Sequence, residues 1–372
     1  MKSLIVFLFL LASLPCFSND GAYRVNGNQL IPVYETDISV KKEILTIKRI
    51  NERFATITVN YEFFNPGKGK ELIVGFEAYT PSGDVDPSPV NGHHPYISKF
   101  TVNLNGLEIP YKLAYVKDSL YYKNGKFKSL TLAQAQAMAE ETDYPEFFYV
   151  YHFKAAFKEG LNTLVHTYIV ELSSSITDNY YLNYILSAAG RWANRQIDDF
   201  TLNIDMGDFQ DLNISNSFFR RYNEWELKGN VKAIQERVES EGENRKYYSV
   251  SRFFIEKGSI SFSKKNFKPT GELLLVEHNG YYYRWNNGDD LFDSKRDGLP
   301  YPIESQDAVK RPADELSRRI LKNLPFARRG YIFKAPELQS YFEKQPWYRK
   351  NEQYQPVLEN LTAEEKKWLS TL

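Results

Sequence analysis

The chain has 372 residues and carries 47 Lys+Arg against 47 Asp+Glu, so its formal net charge is zero. A neutral chain lacks the basic field of a general nucleic-acid or membrane-surface binder, and a single cysteine excludes a disulfide framework. The length is ample for a sizeable apolar core and for two or three domains.

The chain opens with Lys2, the apolar run 4–14, and Pro15-Cys16-Phe17-Ser18. A short charged start, an apolar stretch too short to span a bilayer and a small residue at the end predict a secretory signal peptide over 1–18. Cleavage after Ser18 leaves a cysteine-free chain starting at Asn19, located in the periplasm or at the cell surface. Acylation of Cys16 is the alternative, opposed by Pro15 and the bulky Leu14. No later apolar run approaches 18 residues, so no transmembrane segment is expected in the mature chain.

Residues 19–115 read as a β-sandwich unit. Ile57, Val59, Tyr61 and Phe63 alternate with polar residues, as a half-buried strand requires. Asn65-Pro66-Gly67 turns the chain, and Leu72, Val74 and Phe76 alternate again. Phe100, Val102 and Leu104 predict a third strand, closed by the hairpin signal Asn105-Gly106. Residues 116–146 read as a connection with one short helix, in which Thr131 and Gln134 have capping-box spacing and Leu132, Ala135, Met138 and Ala139 face inward.

A second β-rich unit is expected over 147–293. Tyr149, Tyr151 and Phe153 share a face, Gly160-Leu161-Asn162 turns, and Leu164, Tyr168 and Val170 return. Strands are expected at 180–186, 200–206 and 272–278, with a short helix over 231–238 and a last strand carrying Tyr281, Tyr283 and Trp285. The polar stretch 294–311, with Pro300 and Pro302, reads as a linker.

From residue 312 the period changes from two to 3.6. Pro312 suits the first turn of a helix with the stripe Leu316, Ile320, Leu321 and Leu324, which Pro325 is expected to stop or kink. One further turn ends at Gly330 as a C-cap. Pro336 opens a second helix carrying Leu338, Tyr341 and Phe342, and Trp347-Tyr348 follow it as anchors. Thr362 and Glu365 have capping-box spacing at the start of a third helix, with Trp368, Leu369 and Leu372 on its apolar face.

Phe326-Ala327-Arg328-Arg329-Gly330-Tyr331-Ile332-Phe333, with Pro336-Glu337-Leu338, Tyr341-Phe342 and Pro346-Trp347-Tyr348, resembles the YARHG domain. The resemblance implies a small helical module of bacterial extracytoplasmic proteins and no particular activity. Phe326 stands where that motif has Tyr, Arg329 where it has His, and Ala335 where it has a capping Asp. The opening Asn19-Asp20-Gly21 and Gly27-Asn28-Gln29-Leu30, with Tyr184-Ile185-Leu186 further on, resembles an uncharacterised exported β-rich bacterial family.

No catalytic signature emerges. His93-His94 lies near Asp84 and Asp86, but without the ligand spacing of a metal motif. His152 and His166 read as cross-strand positions on neighbouring strands. Asp289, Asp290, Asp293 and Asp297 lack the Gly and terminal Glu of an EF-hand loop. Ser39 with Lys42, and Ser261 with Lys264, match S-x-x-K but lack its partner motifs. No metal or cofactor is expected.

The candidate binding residues are aromatic or basic. Tyr281, Tyr283 and Trp285 form a platform for sugar rings if exposed and core if buried; Arg328, Arg329, Tyr331, Trp347 and Tyr348 are the corresponding set in the C-terminal module. Arg328 is expected to cap carbonyls or to pair with an acid such as Glu337, with Arg329 more exposed. The whole reads as a mostly β exported protein: an antiparallel sandwich body of two units and a three-helix YARHG module over 312–372. It is expected to be non-enzymatic and to bind an envelope glycan or protein; an envelope hydrolase and a scaffold component are the alternatives.

Overall fold

The structure is a computed structural model that describes residues 23–24, 29–33, 36–117, 121–239, 247–280, 291–303 and 310–372. The expected signal peptide with Cys16, the aromatic set Tyr281, Tyr283 and Trp285, and Asp289 and Asp290 lie outside the described residues.

The protein is mostly β, with helices Glu315–Ala327, Pro336–Glu343 and Ala363–Ser370 gathered at its C-terminal end. Strand Phe54–Asn65 buries Ala55, Ile57, Val59, Tyr61 and Phe63, the alternation expected of a sheet with one face on the core. Strands Lys70–Tyr79 and Phe148–Phe157 pair along their length and, flanked by Gln29–Pro32 and Lys112–Val116, make a four-stranded sheet. That sheet faces a second one of eleven strands. Aromatic rings join the two layers, Phe76 to Tyr168 at 5.0 Å and Phe100 to Tyr151 at 4.8 Å. Asn105 and Gly106, at φ 53° and 86°, turn the hairpin between Ile97–Leu104 and Leu107–Glu108.

The eleven-stranded sheet is mixed and takes strands from both halves of the chain. Its one parallel pair among the described residues sets Ile197–Asp205 beside Ser39–Arg49. On the far side Tyr247–Phe267, 21 residues long, pairs with Ile197–Asp205, Gln210–Ser215 and Trp225–Glu239. The helix expected over 231–238 is therefore strand. Val231, Ile234 and Val238 recur at helical spacing, but the ladder offered by a long partner outweighs local preference. Both long strands bend at Gly229 and Gly258, whose φ values are 89° and 134°. A Cβ on Gly258 would stand 1.9 Å from the Lys228 carbonyl oxygen, so only glycine fits.

Helix Leu132–Glu141 has the expected Thr131–Gln134 capping box and buries Ala135 and Ala139, but Leu132 faces outward. Pro312 does not open the next helix. It pairs in a short bridge with Phe292, and Asp314 is the N-cap, accepting the Ser317 N–H at 2.7 Å. Nor does Pro325 stop that helix, which runs on to Ala327. Proline cannot donate to the Leu321 carbonyl one turn back; the Trp368 indole N–H supplies that bond instead, at 2.8 Å. The stretch expected as a linker contributes Leu299 and Tyr301, both buried, to the cluster formed by these helices.

Candidate functional site

The most heavily charged part of the interior lies where the C-terminal helices meet the large sheet. Glu365 is fully buried and is the centre of this region. As the third residue of its helix it accepts the Thr362 N–H at 2.9 Å, while the Thr362 hydroxyl accepts the Glu365 N–H at 3.2 Å. The same carboxylate accepts from Arg329 through both oxygens, at 2.5 and 2.8 Å, and from Arg328 at 3.2 Å. Arg329 also donates to the Pro325 carbonyl at 2.8 Å, one of those left open at the helix end.

The chain leaves that helix through Gly330 in the left-handed region, φ 81°. Its N–H meets the Ala327 carbonyl at 2.9 Å and the Tyr331 N–H meets Phe326 at 3.1 Å, the two bonds of a Schellman motif. A Cβ there would lie 2.1 Å from the Arg349 carbonyl oxygen.

The sheet side of the junction is a tight turn holding Phe209, a non-glycine residue at φ 55°. Its ring carries both guanidinium groups, Arg328 at 4.0 Å and Arg329 at 4.6 Å from the centroid, with Tyr301 5.5 Å from Arg328. Glu256, half-buried behind them, is pushed upward by burial and pulled back by the two arginines.

These distances settle the placement of the basic candidates. Arg328 and Arg329 are equally buried, 7% and 8% exposed, so the expected difference in exposure is absent. Glu337 pairs with Arg319 at the surface rather than with Arg328. The aromatic candidates lie in the same core. The Trp347 indole donates to the Leu299 carbonyl at 3.2 Å, and the Tyr348 hydroxyl to the Tyr331 carbonyl at 2.7 Å. Tyr331 is half-buried against Phe333.

The profile of the YARHG domain matches this region. Residues 303–372 form a YARHG domain. Arg328 and Arg329 belong to its most distinctive stretch, and both hold it together internally while resting on the body of the protein. No match is found among curated proteins. Among solved structures, a candidate nutrient binding protein from Legionella pneumophila is similar, at 17% identity and a TM-score of 0.45, over 95% of this chain and 98% of that one. An M1 zinc metallopeptidase from Deinococcus radiodurans is similar at 8% identity and a TM-score of 0.26, over 66% of this chain and 43% of that one.

A cleft of about 460 Å³ opens along the seam between the YARHG domain and the sheet. Arg49 and Arg328 line it with positive charge, and Glu52, Asp208 and Glu364 with negative. Arg49 is held in place by the Gln210 side-chain oxygen at 2.7 Å, by the Asn51 carbonyl at 3.0 Å and by the Tyr180 ring at 4.7 Å. The Tyr180 hydroxyl donates to the same Gln210 oxygen at 2.7 Å. Arg49, Phe209 and Gln210 come from distant parts of the sequence and carry no local motif. Glu365 was visible only as a capping partner.

His94, His152 and His166 have structural settings, whereas His93 is exposed. His94 Nδ1 accepts the Tyr96 N–H at 3.1 Å, which leaves Nε2–H to donate to the Tyr79 carbonyl at 3.0 Å; burial lowers its pKa to about 4. His152 and His166 do not meet, because their strands belong to different sheets. His152 stacks on Phe127 at 3.9 Å, and His166 sits among Tyr61, Phe76 and Phe100 with burial lowering it to about 3. Among the described residues no group of three or more His, Cys, Asp or Glu is placed to hold a metal ion. Asp293 and Asp297 close their own turn, the Asp293 N–H donating to Asp297 at 2.9 Å. No helix among the described residues is long and apolar enough to cross a membrane.

Proposed function

We propose that this protein is exported and acts in the cell envelope as a non-enzymatic binding protein, taking a polar envelope component, a glycan or peptide segment, into the cleft between its β body and its YARHG domain. The observation that carries this reading is the cleft itself. It has the volume of an ordinary ligand site and lies on a seam between two structural units, where such sites concentrate. Its walls bring amide side chains and both signs of charge to one place, the means by which hydroxyl, carboxylate and amine groups are recognised. Arg49 is preorganised by three contacts, so little side-chain freedom is lost on binding. Arg328 lines the cleft and also rests on the Phe209 ring of the β body, so a ligand there touches a residue at the contact between the domain and the sheet.

The test is to isolate the mature chain from its native envelope and examine it by native mass spectrometry. The expected result is a bound glycan or peptide that is lost in Arg49→Ala while the fold, followed by circular dichroism, is retained. A ligand retained by Arg49→Ala, or co-purification of other macromolecules only, places binding elsewhere. N-terminal analysis of the same sample tests export: a chain starting at Asn19 supports it, and an acylated Cys16 makes the protein a lipoprotein.

A further inference from the structure

The strand that carries Arg49 also contains an ionisable group that the seam does not use. Glu43 lies in the middle of Ser39–Arg49, opposite Tyr61 on one neighbouring strand and Phe200 on the other. It is 6% exposed. Among the described residues no hydrogen bond or ion pair reaches its carboxyl, and burial alone pushes it up to about 8. A carboxyl in that position destabilises the fold unless something compensates for it.

Beside it is a cavity of about 10 Å³, walled by Glu43, Tyr61, Tyr184, Trp192 and the apolar Leu30 and Val40. That is room for one body the size of a water molecule. The Tyr61 and Tyr184 hydroxyls face one another, and both feel the Glu43 charge. The segment 184–192 closes the cavity. The Glu272 carboxylate pins its start, accepting the Leu186 N–H at 2.5 Å and the Ser187 N–H at 3.1 Å. Trp192 anchors its end against Phe63 at 4.4 Å. Half-buried Ile185 and Ala188 form the mouth.

We propose that Glu43 is the base of an internal site for a primary ammonium group, either free ammonium or the –NH₃⁺ tip of an amine, enclosed by Tyr61, Tyr184 and Trp192. An ammonium head is close to water in size, donates several hydrogen bonds and brings the charge that the carboxylate lacks. One carboxylate and two phenol oxygens accept those bonds, and the aromatic faces favour a cation. Hard divalent metals take six or more oxygens, which these walls do not supply. The site lies apart from the seam cleft and does not depend on it.

The test is thermal melting of the whole mature chain at pH 8 and constant ionic strength, with choline chloride replaced stepwise by ammonium, methylammonium or potassium chloride. The expected result is a saturable rise in Tm with ammonium that is absent in Glu43→Gln. A matching rise with methylammonium assigns the amine tip, and a rise with ammonium alone assigns the free ion; either supports the site. No rise, an equal rise with potassium, or an equal rise in Glu43→Gln overturns it. Proton NMR with ¹⁵N-ammonium gives a second readout that needs no variant: a slowly exchanging bound signal is expected, and its absence at saturating ammonium also overturns the proposal.

Discussion

Glu365 and Glu43 are two carboxylates at nearly the same depth, 0% and 6% exposed, in opposite company. Glu365 accepts hydrogen bonds from two arginines and from the backbone N–H of its own cap. Glu43 has three aromatic rings and a small cavity for neighbours. The contrast shows that burial alone does not tell whether a charge supports a fold or strains it. In the first case the desolvation cost is offset by short, directed bonds; in the second it stands until a proton or a cation arrives.

The strongest way to break the contrast is to remove the paired acid. Glu365→Ala strands two buried guanidinium groups and deletes a capping box, so a loss of about 3–5 kcal/mol is expected. Denaturant melts check it, with Trp347 and Trp368 fluorescence reporting on the YARHG domain. A loss under about 1 kcal/mol removes Glu365 from the centre of the junction.

The unpaired acid has the opposite sign. Glu43 is raised from 4.5 to about 8 in the folded chain. Its favourable contribution is full below pH 4.5, where both states are protonated, and declines as pH rises towards 8, because the unfolded chain gives up its proton first. Glu43→Gln is therefore expected to stabilise the protein in ammonium-free buffer at pH 8, by roughly 4 kcal/mol, and to change little at pH 4.5. Paired melts at the two pH values check this; a destabilised variant at pH 8 contradicts it.

A smaller effect is expected at the helix end that carries Arg328 and Arg329. Gly330→Ala puts a side chain at φ 81° and into the Arg349 carbonyl, and a cost of about 1–3 kcal/mol follows, read as a lowered Tm. The least effect belongs to the surface pair. Arg319→Ala removes the bond to Glu337, where both side chains are more than a third exposed, and a change of about 0.5 kcal/mol or less is expected. If it equals the loss from Glu365→Ala, the distinction between buried and exposed pairs fails.

Much of the fold was legible because its signals are local. The alternation of Ile57, Val59, Tyr61 and Phe63, the Asn105-Gly106 hairpin, both capping boxes and the Gly330 cap all depend on neighbours within a few residues. Several of the readings that changed depended on distant partners. Pro325 is tolerated because Trp368 lies beside the carbonyl it leaves open, and residues 231–238 are strand because Tyr247–Phe267 runs alongside. The parallel pairing that joins the two halves has no turn of its own to announce it. The candidate site was the least legible. Arg328 and Arg329 were singled out by the motif they occupy, but their partner Glu365 and their support Phe209 lie about 36 and 119 residues away, where spacing carries no information.

By itself, then, the sequence determined the mostly β character, the change to helical period near residue 312 and the YARHG module, because periodicity, caps and turn residues are short-range preferences written into each segment. Only the tertiary structure decided which charges are buried and what they meet. Arg329 goes inside to bind Glu365, Arg319 stays outside with Glu337, and Glu43 is enclosed beside a small cavity lined by Tyr61, Tyr184 and Trp192. The physical reason is that a charge's solvation and its partners are set by everything folded around it, and those surroundings come from every part of the chain.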